Sequence, residues 1–281
     1  MTGTDTDTDT AARSLAAYRE ARERTVRQPQ GVLALVNTQW ITGESGVGQP
    51  IWGVPGLWAP REQGESGLLL TAELADDILV DGRLAQGEVV VRGRDDENPS
   101  EVRFSDTVTG FVIAGEDGGY ALRVWDAESE AIRDFGGIDA FPYNPDWVVR
   151  ATFTPLDEVR AVGFEHVKDD GRTRERVIPA DISFEKDGVS YTLAAYWDEQ
   201  KLLLVFGDAT NGDSTYGVGR FLKVLPNDDG TITLDFNRAY LPPCAFSYHF
   251  NCPIPPKQNR FAVPIEAGEK NVLARSGELL H

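Results

Sequence analysis

The sequence predicts a mainly β protein, with antiparallel sheets forming a sandwich or partly open barrel, two β lobes and one N-terminal helix. Three observations carry this. Glycine and proline, 28 and 16 of 281 residues, punctuate the chain every few positions after Pro29. Short apolar or alternating runs lie between them, the period-two pattern of strands. Strand–helix–strand alternations of the kind that build a doubly wound parallel sheet are few.

Taken in order, residues 1–10 alternate threonine with aspartate, cannot bury apolar area, and are expected to form a disordered tail. Residues 11–29 are rich in helix formers and gather Leu15, Ala16, Tyr18 and Ala21 near one face, which predicts a single surface helix. The N-terminal lobe, 30–130, holds strand candidates at 32–36, 88–92, 102–105, 110–114 and 120–125. The C-terminal lobe, 131–281, holds them at 147–154, 176–179, 182–185, 189–196, 201–206, 220–224, 231–236 and 261–266. Gly118-Gly119, Asp169-Asp170-Gly171, Lys186-Asp187-Gly188 and Asp228-Asp229-Gly230 suit hairpin turns that need positive φ.

Charge narrows the function classes. A net charge of −18 opposes nucleic-acid and anionic-membrane surfaces, both of which demand basic patches. Such a surface suits a high-salt cytoplasm, and an ordinary acidic protein accounts for it equally well. No run of about 18 apolar residues is present to span a bilayer. The polar start carries no secretory signal as written, so a cytoplasmic setting is expected. There, Cys244 and Cys252 are expected to remain thiols.

Candidate chemistry begins at Phe206, where FGDATNGDSTYGVGRFLKV interleaves four glycines with polar side chains and runs into a strand carrying Arg220. Glycines let backbone amides approach a ligand, and an arginine fork matches carboxylate or phosphate. Neither a P-loop lysine nor a dinucleotide-type helix follows. The competing reading is a long loop whose Asp and Asn cap their own turns. The strand TITLDFNRAY then offers Asp235, Asn237, Arg238 and Tyr240 within a few residues, on what is otherwise the polar face of an alternating strand.

LPPCAFSYHFNCPIPPKQNRF comes next, with prolines on both sides of each cysteine that make a rigid, non-helical loop. Cys244, His249 and Cys252 have the wrong spacing and number for a zinc site, and no metal is expected. The eight-residue separation permits a redox pair if the loop folds back, and His249, Arg220 or Arg238 could lower the pKa of a thiol. Packing of two buried cysteines inside a proline-rich loop is the plain structural alternative.

D-x-T-N-G-x-x-T-Y-G-x-G-R (208–220), D-F-N-x-A-Y (235–240), P-C-A-F (243–246), C-P-I-P-P-x-x-N (252–259) and I-x-A-G-E-K (265–270) together resemble an uncharacterised bacterial and archaeal family. It is the domain-of-unknown-function family numbered sixteen eighty-four. The resemblance extends to Phe135-Gly136-Gly137-Ile138 and Phe141-Pro142, and it implies no activity. His249 matches no position of the family pattern.

The leading expectation is a small anionic ligand in the C-terminal lobe, bound and open to being transformed. Asp208, Thr210, Asn211, Thr215, Tyr216, Arg220, Asn237, Arg238, Asn259 and Glu266 would bind it, and Cys244, Asp235 and Tyr240 would supply acid, base or thiol chemistry. The alternatives are a non-catalytic structural or protein-interaction module, and a metal or thiol redox protein using Cys244 and Cys252. No cofactor is identified.

Overall fold

The computed structural model describes residues 4–280, with the backbone alone described for 4–8 and Val159. The protein is mainly β, its sheets almost wholly antiparallel and closing no barrel, with one long helix near the N-terminus. Two units divide at Asp134/Phe135: Arg24–Asp134 forms one, and Met1–Glu23 with Phe135–His281 forms the other. No described helix is long and apolar enough to cross a membrane.

The helix spans Thr4–Val26. It therefore takes in 4–10, expected as part of the polar tail, while Met1–Gly3 lie outside the described residues. Asp9 and Arg13, one turn apart and 3.0 Å from each other, show how a Thr/Asp run accommodates helix without burying anything. Leu15 is buried, and Tyr18 and Arg22 are half-buried on the same stripe.

In the unit Arg24–Asp134, a six-stranded and a four-stranded sheet enclose one core built on Trp58, Leu68, Leu70, Ile78, Val112 and Leu122. Residues 32–34, expected within a strand, form a 3₁₀ turn, and the strand begins at Leu35. Strands Leu57–Pro60 and Leu68–Ala72 escaped the sequence reading, because Gly and Pro crowd their flanks and mask the period.

The other unit is built around the three-stranded sheet Tyr196–Asp198, Lys201–Phe206, Arg220–Val224. Leu202, Leu204 and Phe206 face a core shared with Ile182, Leu193, Ile232 and Phe236. Leu203, Val205 and Phe221 point the opposite way, onto Phe164, Ile178, Cys244 and Cys252. Burial on both faces explains why KLLLVF is continuously apolar. A four-stranded sheet is dominated by the long hairpin of Val148–Glu165 and Thr173–Lys186, which joins two expected strands across Pro179. Phe135–Ala140 pairs with Glu269–Ala274 as a two-stranded ribbon that periodicity did not reveal. Residues 261–266 form no strand: Pro264 lacks an N–H, and the Ile265 N–H bonds instead to the Asp208 carboxylate at 3.1 Å.

Candidate functional site

Apart from Asn259 and Glu266, the residues singled out from the sequence fall into three clusters. Two of them meet along segment 265–271.

The first is the glycine loop and Arg220. Asp208 Oδ1 accepts from the Thr210 N–H at 2.9 Å, the Thr210 hydroxyl at 2.6 Å and the Ile265 N–H. Its Oδ2 accepts from Arg220 Nη2 at 2.7 Å. Thr210 and Thr215 hydroxyls lie 2.9 Å apart, and Asn211 donates to Thr215 Oγ1 while accepting from the Asp208 N–H. The Thr210 carbonyl accepts from the N–H groups of Asp213, Ser214 and Thr215, so the loop closes on itself. Arg220 is completely buried, and its guanidinium also donates to the carbonyls of Ile265, Ala267 and Glu269. Burial pushes its pKa down, and the Asp208 carboxylate pushes it back up. Gly219, at φ +110, could not carry a Cβ, which would stand 2.6 Å from the Phe206 carbonyl.

This corrects the expectation that Arg220 faces a ligand. A strand emerging from a polar loop placed its guanidinium inside the protein, where a carboxylate and three carbonyls use it. Asn259 is likewise internal, clamping Ala194 and Val205 with three hydrogen bonds of its amide: it donates to both carbonyls at 2.8 Å and accepts from the Ala194 N–H at 2.9 Å.

The second cluster surrounds Glu269, which belongs to the A-G-E-K motif but was not among the expected site residues. Its buried carboxylate accepts from Arg22 Nε at 3.1 Å and the Leu241 N–H at 2.7 Å. Desolvation raises its pKa, and Arg22 works against that rise. Arg22 also donates to the Leu241 carbonyl and lies over the Tyr240 and Phe246 rings, 4.9 and 5.4 Å from their centroids. Tyr18 donates to the Arg238 carbonyl, and Arg238 reaches Ser14 at 2.8 Å and Asp235 at 3.3 Å. Asp235 caps Asn237, whose amide brackets the Asn144 backbone. The helix thus contacts Arg238 through Ser14 and Tyr18, and Tyr240 through the Arg22 guanidinium over its ring. Tyr240 is pushed well above the usual phenol range by burial. Glu266 is exposed and stands apart from these groups, touching Asn144 only through its carbonyl. Gly268 makes the close approach possible: at φ +84, a Cβ would lie 2.7 Å from the carbonyls of Ala239 and Phe236.

The third cluster is the cysteine pair. Neither cysteine is in a disulfide, and each is 4% exposed. The Cys244 N–H donates to Cys252 Sγ at 3.2 Å, and Tyr216 donates its hydroxyl to the Cys244 carbonyl at 3.2 Å. Hydrogen bonds from Cys252, and then from Tyr216, hold the Cys244 thiol below the ordinary range against the opposing effect of burial. Burial first, and Cys244 second, push Tyr216 far above the usual phenol range, so it remains a donor. The proline-rich loop folds back as a 3₁₀ turn over 243–245 and is held to the long hairpin, where Val167 N–H bonds the Cys252 carbonyl at 3.0 Å and Ile254 N–H the Glu165 carbonyl at 2.7 Å. A cavity of about 190 Å³ adjoins this cluster, lined by Tyr216, Gly217, Ala245, Asp213 and Asn271 among others. Among the described residues no group of three His, Cys, Asp or Glu is placed to hold a metal. His249 is half-buried, and burial pushes its pKa down.

No curated protein matches the chain. A solution NMR structure of an uncharacterized protein from Haloarcula marismortui is 38% identical, covering 48% of this chain and 76% of that one, with a TM-score of 0.39. The family model described as "Protein of unknown function (DUF1684)" matches residues 133–270, the stretch that carries all three clusters. With the matched region holding the ordered motifs from Asp208 to Lys270, the chain belongs to this family of proteins of unknown function.

Proposed function

We propose that the C-terminal unit performs thiol chemistry at Cys244 and Cys252, cycling between dithiol and disulfide against a small disulfide. The observation that carries this reading is the Cys244 N–H donating to Cys252 Sγ at 3.2 Å, between two buried cysteines that form no disulfide, with Cys252 and Tyr216 both favouring a thiolate at Cys244. In the forward step the Cys244 thiolate attacks one sulfur of an external disulfide, which breaks and releases one thiolate. Cys252, giving up its proton, then attacks Cys244 Sγ and expels the second. The protein loses two electrons and two protons, and the external disulfide becomes two thiols. A reducing cytoplasm, the setting proposed from composition, would return the pair to the dithiol.

The test is the pH dependence of alkylation at Cys244 by iodoacetamide, followed by peptide mass. Cys244 is expected to react with a midpoint below the ordinary thiol value of about 8.5. Tyr216→Phe, which removes the hydroxyl that donates to the Cys244 carbonyl and helps to hold the thiol pKa down, should move that midpoint upward. An ordinary profile, unmoved in Tyr216→Phe, would refute the reading.

Binding of a small molecule is a second reading, favoured by the cavity beside Tyr216. Tyr216, Asp213 and Asn271 would contact such a ligand. Arg220 would not, since it is fully buried behind the loop.

A further inference from the structure

We propose that the partner of the Cys244/Cys252 pair is a low-molecular-weight disulfide that carries negative charge, drawn to the thiols past Lys168. The inference rests on the thiol reading above and adds to it the chemical class of the substrate.

Charge distribution is the first ground. Asp and Glu make up 45 of 281 residues, yet none occurs from Phe236 to Ile265, the stretch that contains both cysteines. That stretch carries Arg238, Lys257, Arg260 and His249 instead. A protein with a net charge of −18 should repel anions in general. The stretch that holds its thiols adds no negative charge of its own.

Geometry is the second. The Lys168 N–H bonds the side chain of Asn251 at 2.9 Å, and Asn251 is the residue before Cys252. Val167 N–H bonds the Cys252 carbonyl, so the backbone at Lys168 is anchored beside Asn251 and Cys252. Lys168 is exposed, and among the described residues no carboxylate lies within ion-pair distance of it. Its charge reaches both sites of interest, favouring the thiolate of Cys244 and disfavouring a proton on His249. Of the acids near this region, Asp169 bonds Arg174 and Asn251, Asp198 pairs with Lys223 and Glu269 pairs with Arg22, while Glu165 and Asp170 are exposed on the same hairpin as Lys168 and work against its charge. Asp213, on the cavity beside Tyr216, opposes an anion from that side, which leaves the approach past Lys168.

Burial is the third. At 4% exposure neither sulfur can be reached by a folded protein partner, whereas a small disulfide needs only a local opening of the loop.

The experiment compares oxidation of the reduced full-length chain by dithiodipropionate, cystamine and bis(hydroxyethyl) disulfide, which are anionic, cationic and neutral. Read as the ratio of the anionic to the cationic rate, the result is independent of how much thiolate is present. A ratio above one at low ionic strength, falling toward one as salt is added, is expected. Lys168→Glu should lower it by at least about threefold, with Lys168→Gln intermediate. A ratio below one that neither variant changes would overturn the anionic class while leaving the thiol reading intact. Failure of all three reagents to oxidise the pair would sink the thiol reading itself.

Discussion

Arg220 brings a full charge into a place without solvent, and such a charge is tolerated only where its partners are numerous and fixed. Asp208 and the carbonyls of Ile265, Ala267 and Glu269 meet that demand, leaving only Nε without a partner among the described residues. Arg220→Lys retains the charge but loses the fork, and should cost roughly 1–3 kcal/mol of unfolding free energy in a urea titration. Phosphate or small carboxylates should raise the melting temperature of neither protein through this residue. Anion-dependent stabilisation lost in Arg220→Lys would restore it as a ligand contact. The sequence showed that an arginine follows a glycine loop and enters an apolar strand. Its partners were hidden because they are main-chain atoms some 45 positions away, a class of contact that residue identity does not encode. The mutual bonding of Asp208, Thr210, Asn211 and Thr215 was visible as the turn-capping alternative, because short polar side chains bond their own backbone.

At the scale of elements, the N-terminal helix is held by unusual means. Its buried stripe is short, and Arg19, Arg22 and Tyr18 dock it through the carbonyls of Phe141, Leu241 and Arg238 together with the Glu269 carboxylate. Removing one member of a buried ion pair strands the other. Arg22→Met should therefore destabilise the protein by roughly 3 kcal/mol at neutral pH, more than Glu269→Gln, which removes the stranded charge instead. The pH dependence follows from the raised pKa of Glu269. A carboxyl whose folded pKa exceeds its unfolded one, near 4.3, contributes stability below the unfolded value and loses it as pH rises through the folded one. Arg22→Met raises the folded pKa further, so its deficit against wild type should shrink as pH falls from 8 toward 5. A deficit constant across that range would show that Glu269 is not the group left stranded. Composition revealed this helix, but not where it docks or that it starts at Thr4, because docking by arginine leaves little apolar periodicity to read.

Over the whole molecule, the mainly β character was legible from turn chemistry and alternation, and the chain divides into Arg24–Asp134 and a unit that joins Met1–Glu23 to Phe135–His281. The joining of residues before Glu23 to the C-terminal unit was not legible, since a contact across the intervening unit leaves no local trace in the chain. Three clusters carry the family's motifs, and they do different work. Two use their charges to hold the sheet, the loop and the helix together. The third places two cysteines together on the far face of the three-stranded sheet, with the Cys244 N–H on Cys252 Sγ. That pair is the chemistry the fold has not consumed. It was visible in the sequence only as a spacing, since whether eight residues between prolines fold back depends on the hairpin at Glu165 and Val167 that receives them.

Oxidation of the reduced, folded chain by bis(hydroxyethyl) disulfide, with thiol counting, peptide mapping and far-UV circular dichroism on one sample, tests the thiol pair most directly. Both thiols should disappear together, a single Cys244–Cys252 cross-link should appear with the loss of two hydrogens, dithiothreitol should reverse it, and the β spectrum should not change. Two thiols that stay unreactive in the folded protein, or that end as separate unresolved mixed disulfides, would contradict it.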